Sequence, residues 1–274
     1  MPPSEDDKPS YQTEQALLIE AVRDAAPIAL SKFRLGQTAS AESWSKSHDN
    51  SIVTETDLAV NAALRDVLLG ARPDYGWLSE EDADSPQRRE QDRVFIVDPI
   101  DGTRSFAEGK PEFCFSVALV EAGRPIAAVI FAPALNALFA ATDGGGATLN
   151  REPIQVSSRE RLDGSTALGT KRSFHPDRWP GGAPEVARSY IHPIAYRLCM
   201  IAEGRWDLAL TLNPTNEWDV AAGDLLIREA GGAVSDSAGA QIVYNKLKPG
   251  VGSLIAAPTA IHAEVITRLR PTSA

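Results

Sequence analysis

The stretch from Phe113 to Ala141 constrains the fold most. Three apolar runs, FCFSVALVE (Phe113–Glu121), PIAAVIF and ALFAA, follow one another, with the turn AGRP after the first and a short proline-containing link before the last. Runs of this length, bounded by turn residues, read as successive strands of a meander. A shorter run of the same type, VFIV (Val94–Val97), precedes them. DGGGATLN (Asp143–Asn150) reads as a glycine-rich hairpin turn, because no Lys-Ser/Thr pair follows to complete a P-loop.

Helical periodicity flanks this sheet. From Tyr11 to about Phe33, Leu17, Ala21, Ala25, Ile28 and Ala29 recur at helical spacing, with a kink or break expected at Pro27. The polar stretch GQTASAESWSKSHDNS reads as an exposed loop or loose hairpin. A second helix is predicted from about Thr54 to Leu69, with Thr54 and Asp57 forming a capping box and Gly70 the stop. Residues 160–190 look irregular. Helices resume over Ile194–Glu203 and Asp219–Ala230, the latter stopped by Gly231-Gly232. LIAAP reads as a buried strand and Thr259–Leu269 as a closing helix. Grouped strands followed by strands alternating with helices predict an α+β fold with helix-covered sheets.

With 274 residues, of which 43% are hydrophobic, the chain can fill one large core or two lobes sharing one. Its net charge of −10 argues against a general nucleic-acid-polymer partner, which needs a basic face. The absence of a long uninterrupted apolar window argues against a membrane span. The polar, acidic opening MPPSEDDKPS reads as a disordered tail over 1–10 rather than a targeting segment. Two cysteines, Cys114 and Cys199, each in an apolar run, read as buried free thiols in a cytoplasmic protein.

Chemistry concentrates in Val97-Asp98-Pro99-Ile100-Asp101-Gly102-Thr103. Two carboxylates three residues apart follow a strand, Pro99 stiffens the backbone and Gly102 permits a sharp turn. Such oxygen clusters suit hard divalent cations, and the N–H groups beyond Asp101 suit a phosphate oxygen. Glu80, after the apolar WLS, and Asp219, at a helix start, stand in similar positions. Taken alone, Asp219 reads as a helix cap and the EED run as solvated surface.

VDPIDGT, with LSEED upstream and WDVAAGDLLIREAGG downstream, resembles the signature set of the inositol monophosphatase family, in order and spacing from about Lys46 to Gly232. That resemblance implies a layered α-β-α-β-α sandwich, with lobes over roughly 11–150 and 151–274, and usually a homodimer. It implies lithium-sensitive, Mg²⁺-dependent hydrolysis of a small phosphate monoester by in-line attack of a metal-activated water, with two or three ions per site. Position by position, Glu80, Asp98, Asp101 and Asp219 become metal ligands, joined by the Ile100 carbonyl. Asp57 pairs with Thr103 near the attacking water, Lys46 becomes the mobile-loop lysine, and Gly102 with Thr103 cradles the phosphate. A haloacid-dehalogenase reading of Asp98 fits less well, because the second aspartate comes one residue too late.

The substrate is less legible. Inositol-specific members carry an acidic residue seven positions before the last metal-binding aspartate, and Leu212 stands there. The stretch NPTNEWD is instead similar to the PTN-x-WD stretch of bisphosphate nucleotide phosphatases, making Asn216 a candidate sugar or base contact, with a helix cap as its other reading. Glu217 reads as exposed surface or as a replacement ring contact. His192-Pro193-Ile194 replaces the usual small-residue turn, making His192 a candidate substrate contact. Lys171 and Arg172 are candidates for meeting a second phosphate. Inositol monophosphate and 3'-phosphoadenosine 5'-phosphate are the substrates this implies. The alternative is a non-catalytic member that binds a phosphorylated metabolite or a protein partner through the same pocket.

Overall fold

The computed structural model describes residues 11–45 and 52–270. The tail 1–10 and Lys46, both subjects of expectations above, lie outside the described residues. In chain order the elements begin with α1 (Gln12–Lys32), β1 (Ser43–Ser45), β2 (Ile52–Thr54), α2 (Glu55–Ala71), β3 (Gly76–Ser79) and β4 (Arg93–Asp101). Then come α3 (Thr103–Ala107), β5 (Cys114–Glu121), β6 (Arg124–Ala132), β7 (Ala137–Thr142), β8 (Gly146–Leu149), β9 (Glu152–Pro153), β10 (Thr166–Gly169) and β11 (Ala187–Ser189). The chain continues through α4 (Ile194–Ala202), β12 (Leu208–Thr211), β13 (Thr215–Asn216), α5 (Glu217–Glu229), β14 (Gly232–Ser235), β15 (Gly250–Val251), β16 (Leu254–Pro258) and α6 (Thr259–Leu269).

The predicted meander is the centre of a seven-stranded sheet in the order β3-β4-β5-β6-β7-β8-β9, antiparallel except for the β3–β4 pair. Its strands are apolar nearly throughout because both faces are covered. Along β4 and β5, Phe95, Val97, Phe115, Val117 and Leu119 pack under α1 and α2. Their neighbours Val94, Ile96, Cys114, Ala118 and Val120 pack against α4 and α5. That alternation is the two-residue period of a strand read on both sides at once.

A second, five-stranded sheet, ordered β11-β10-β12-β16-β14, repeats the scheme. Leu168, Ala209 and Ala256 join the core shared with α4 and α5. Ala167, Leu208, Leu210, Ile255 and Ala257 face α6 through Ile261 and Val265. The layers are therefore α1/α2, sheet, α4/α5, sheet, α6: an α-β-α-β-α sandwich. α4 and α5 pack closely because Gly223 leaves room: a Cβ there would sit 2.3 Å from Leu198 Cδ1.

Local expectations differ from the structure in four places. α1 runs unbroken through Pro27, which lies with Arg23, the residue four positions back whose carbonyl loses its amide partner, on the exposed side of the helix. α2 continues past Gly70 to Ala71 and stops only where the Arg72 N–H bonds to Leu68. The 160–190 segment hides two strands, β10 and β11, which pair in parallel. β4 does not end at Val97 but continues to Asp101. β1 and β2 form the loose hairpin expected there, and Thr54 and Asp57 close the expected capping box.

Candidate metal centre

The spacing of Asp98 and Asp101 works through a bulge. Residues three apart on a regular strand point to opposite faces. Asp98 pairs with Ser116 and Asp101 with Cys114, so β4 spends one residue more than β5 over this interval. The extra residue turns both carboxylates to the α4/α5 face. Pro99 fits there because a bulge requires no ladder N–H from it. Gly102 then takes φ +93°, and a Cβ at that position would fall 2.5 Å from Pro193 Cγ. The chain enters α3 immediately.

Asp219 reaches the same point from the first turn of α5. Carboxylate oxygens of Asp98, Asp101 and Asp219 lie within 4.8 Å of one another. One Asp219 oxygen, Oδ2, accepts the Thr215 hydroxyl and the Asn216 N–H. One Asp101 oxygen, Oδ2, accepts the Ala195 N–H at the start of α4, at 2.5 Å. Ser116, the strand partner of Asp98, donates its hydroxyl to the Trp218 carbonyl at 3.1 Å, which ties α5 to the bulge. Glu80 follows β3, its N–H bonded to the Val97 carbonyl, and lines the same cavity of about 290 Å³.

Without a counter-ion this cluster is electrostatically uncomfortable. Burial first, then the charges of Glu80, Asp101 and Asp219, push the Asp98 carboxyl well above its ordinary range. Burial and the Asp219 charge push Asp101 well up despite its bond to Ala195. Asp219 is pushed up to about 6, chiefly by burial. Among the described residues, Asp98 Oδ1 is buried with no hydrogen-bond partner. A buried carboxylate oxygen left without a donor, beside two more, matches what a hard cation accepts as ligands.

Asp57 sits one step outward, held by the capping box. Thr54 donates to its Oδ2 through both N–H and hydroxyl, and the Thr103 hydroxyl bonds its Oδ1 at 2.8 Å. The same hydroxyl lies 3.1 Å from the Ile100 carbonyl. Burial raises the Asp57 carboxyl. The cavity wall also contains Ile100, Gly102, Thr103 and His192, all expected there, together with Ile52, Arg104, Tyr190, Ile194 and Arg197, which were not. Burial, and then the charges of Arg104 and Arg197, hold the His192 imidazole below its ordinary value, so it faces the cavity uncharged at neutral pH.

Arg197 is the main residue that sequence reading missed. It is 6% exposed, donates to the Ile191 and His192 carbonyls, and stands 4.6 Å over the Tyr190 ring. A single cation inside the apolar run IAYRLCMIA was the available signal. Two residues beside Asp219 lie outside the cavity, and the reading of the second is corrected. Asn216 lies outside the cavity wall and takes the cap position of α5, its other reading: its N–H bonds Asp219 Oδ2 and, in β13, it aligns with Gly250. Glu217 is neither exposed nor a pocket residue: it is fully buried and accepts N–H groups of Asn245 and Lys246. Lys171 and Arg172 line a separate cavity with His175, Asp177 and Arg178.

Residues 10–273 match the inositol monophosphatase family. The chain belongs to that family. Among its relatives, the Nus factor SuhB of Haemophilus influenzae is 33% identical over 232 residues, covering 81% of this chain and 84% of that one. The Nus factor SuhB of Escherichia coli K12 is 33% identical over 241 residues, covering 81% and 85%. Among solved structures, the suhB protein of Bartonella henselae superposes with a TM-score of 0.80 at 27% identity, covering 95% of this chain and all of that one. The IMPase of Thermotoga maritima gives 0.78 at 28% identity, covering 95% and 97%. Both of these solved structures therefore share the fold seen here. Among the described residues, no helix is long and apolar enough to cross a membrane.

Proposed function

We propose that this chain is a Mg²⁺-dependent phosphomonoesterase acting on a small polyol or nucleotide phosphate. The observation that carries this reading is the trio of carboxylates within 4.8 Å, one of whose buried oxygens lacks a donor among the described residues. Asp98, Asp101, Asp219 and Glu80 would hold the metal, with the Ile100 carbonyl beside them. Bound Mg²⁺ supplies Lewis acidity: it offsets the phosphate charge and makes a water acidic enough to attack. The chain's own residues do the rest. Asp57 accepts from Thr103, and in this reading the pair would orient a water and take its proton. Gly102 and Thr103 line the cavity, and their backbone N–H groups would meet a phosphate oxygen there. His192, uncharged, and Tyr190 form the wall available to the leaving alcohol.

The test is phosphate release from inositol 1-phosphate, 3'-phosphoadenosine 5'-phosphate, fructose 1,6-bisphosphate and histidinol phosphate, with Mg²⁺ and with chelator. Turnover should require Mg²⁺, fall with lithium at roughly tens of millimolar, a level suited to a weakly held hard-cation competitor, and vanish in Asp98→Asn. A second reading has one observation behind it: relatives that span most of this chain are named Nus factors. In that reading the pocket serves binding, and the expectation of no nucleic-acid polymer partner is set aside. No release from any substrate, while a ligand still raises the melting temperature, would favour it.

A further inference from the structure

The last metal-binding candidate, Asp219, stands on a short piece of structure that the rest of the site does not explain. α5 begins at Glu217, whose side chain is 0% exposed although it is a carboxylate. Buried carboxylates need donors, and this one has a specific set. Its two oxygens accept the Asn245 N–H at 2.6 Å and the Lys246 N–H at 3.2 Å, and the Lys246 ammonium stands 3.7 Å away. The Glu217 N–H in turn bonds to the Pro249 carbonyl at 3.0 Å. Residues 244–250 are thus a strap laid across the start of α5. Its far end, β15, pairs with β13, aligning Asn216 with Gly250 and Thr215 with Val251.

The strap is fastened at two further points. Tyr244, buried, donates its hydroxyl to Asp224 two turns along α5 at 2.8 Å. Arg88, only 3% exposed, donates to the Asn245 side-chain oxygen and, at 2.7 Å, to the Lys246 carbonyl, while Asp84 grips it with both oxygens. The connection to the metal centre is short. Thr215 and Asn216, held by β15, supply the two donors that hold Asp219 Oδ2, and with them the carboxyl that comes within 4.8 Å of Asp98 and Asp101. If the strap shifts, those donors shift with it.

We infer that Glu217 is a positioning residue for the metal centre: by clamping the 244–250 strap to the first turn of α5, it sets the reach of Asp219 toward the cation. This rests on the metal-dependent reading proposed above. Partners that support a ligand typically cost about 10–100-fold in metal affinity when removed, and Glu217 acts through one intervening pair, so the effect falls at or below the low end of that range.

The experiment is a Mg²⁺ titration of wild type, Glu217→Gln and Arg88→Gln. It is followed by calorimetry on the protein without substrate, and separately by the Mg²⁺ dependence of phosphate release. Glu217→Gln keeps the shape but presents an amide donor to strap N–H groups. Its apparent Mg²⁺ affinity should drop by about 3–10-fold, with kcat at saturating Mg²⁺ within a factor of about two of wild type. Arg88→Gln loosens the strap from its other side, where Arg88 bonds Asn245 and the Lys246 carbonyl, and should give a smaller shift in the same direction. A merely structural role would lower the melting temperature of both variants and leave Mg²⁺ affinity unchanged. That result overturns the inference, and should Glu217→Gln fail to fold, an unshifted Arg88→Gln overturns it equally. A wild-type protein that takes up no Mg²⁺ would instead overturn the functional reading beneath it.

Discussion

Replacing Asp219 by Asn should make the metal-free protein more stable, although it removes a proposed ligand. In the folded chain the Asp219 carboxyl is pushed up to about 6 from an ordinary value of 3.8. Each unit of that rise is worth about 1.4 kcal/mol, so holding the ionised form above pH 6 costs about 3 kcal/mol in the metal-free state. Asp219 keeps some contact with solvent, and its charge at the α5 N-terminus contributes a few tenths in the opposite direction. A net gain of about 1–2 kcal/mol remains for the amide, whose oxygen can still accept from Thr215 and Asn216. For a chain of this size that raises the melting temperature by about 2–4 °C.

The sign with pH follows directly. Below about pH 4 the carboxyl is protonated in both folded and unfolded chains, and variant and wild type should melt together. As pH rises from about 4 to 6, the unfolded chain releases its proton while the folded chain retains it, so wild-type stability falls relative to the variant. Thermal melts in chelator at pH 4 and pH 7.5 measure the difference. Adding Mg²⁺ at pH 7.5 should reverse the order, because a ligand at a hundred times its Kd stabilises the state that binds it by about 2.7 kcal/mol. A variant less stable than wild type in chelator at pH 7.5, or a difference that ignores pH, would refute the electrostatic account of the cluster.

Three further outcomes are expected. Thr103→Val removes the hydroxyl that bonds Asp57 and should lower kcat about 100-fold with little change in KM, whereas Thr103→Ser should stay close to wild type; steady-state phosphate release checks both. Arg197→Met leaves the Ile191 and His192 carbonyls without their donor, so it should raise KM more than it lowers kcat and cost about 2–3 kcal/mol of stability in urea melts. Cys114 and Cys199, buried and with thiols pushed well up by desolvation, should resist a thiol reagent in the native protein and react only once it unfolds.

What the sequence revealed was mostly what is decided locally. The Thr54–Asp57 capping box spans three residues and needs no tertiary partner, so it was legible, and α6 was read to the residue. The apolar runs of β5 to β7 announced strands because both faces are buried, which leaves no polar alternation to confuse the pattern. β10 and β11 escaped because each has four residues or fewer and pairs in parallel with a partner some twenty positions away, inside a Pro- and Gly-rich stretch. At the site, Asp98 and Asp101 were found by type and spacing, but the bulge that turns them to one face depends on pairing with β5. Glu217 was misread because its burial comes from Asn245 and Lys246, nearly thirty residues away. Arg197 was overlooked because the carbonyls it serves become a pocket wall only once Tyr190 and His192 are folded over it.

The bond from the Ala195 amide to Asp101 has a mechanical meaning. Asp98 and Asp101 belong to the larger sheet, while Ala195 and Asp219 begin the two helices sandwiched between the sheets. A divalent ion seated among these oxygens would act as a rivet through adjoining layers of the sandwich. Loading it should slow the rate at which the helical middle layer peels from the larger sheet, and draining it should expose that seam first to a protease.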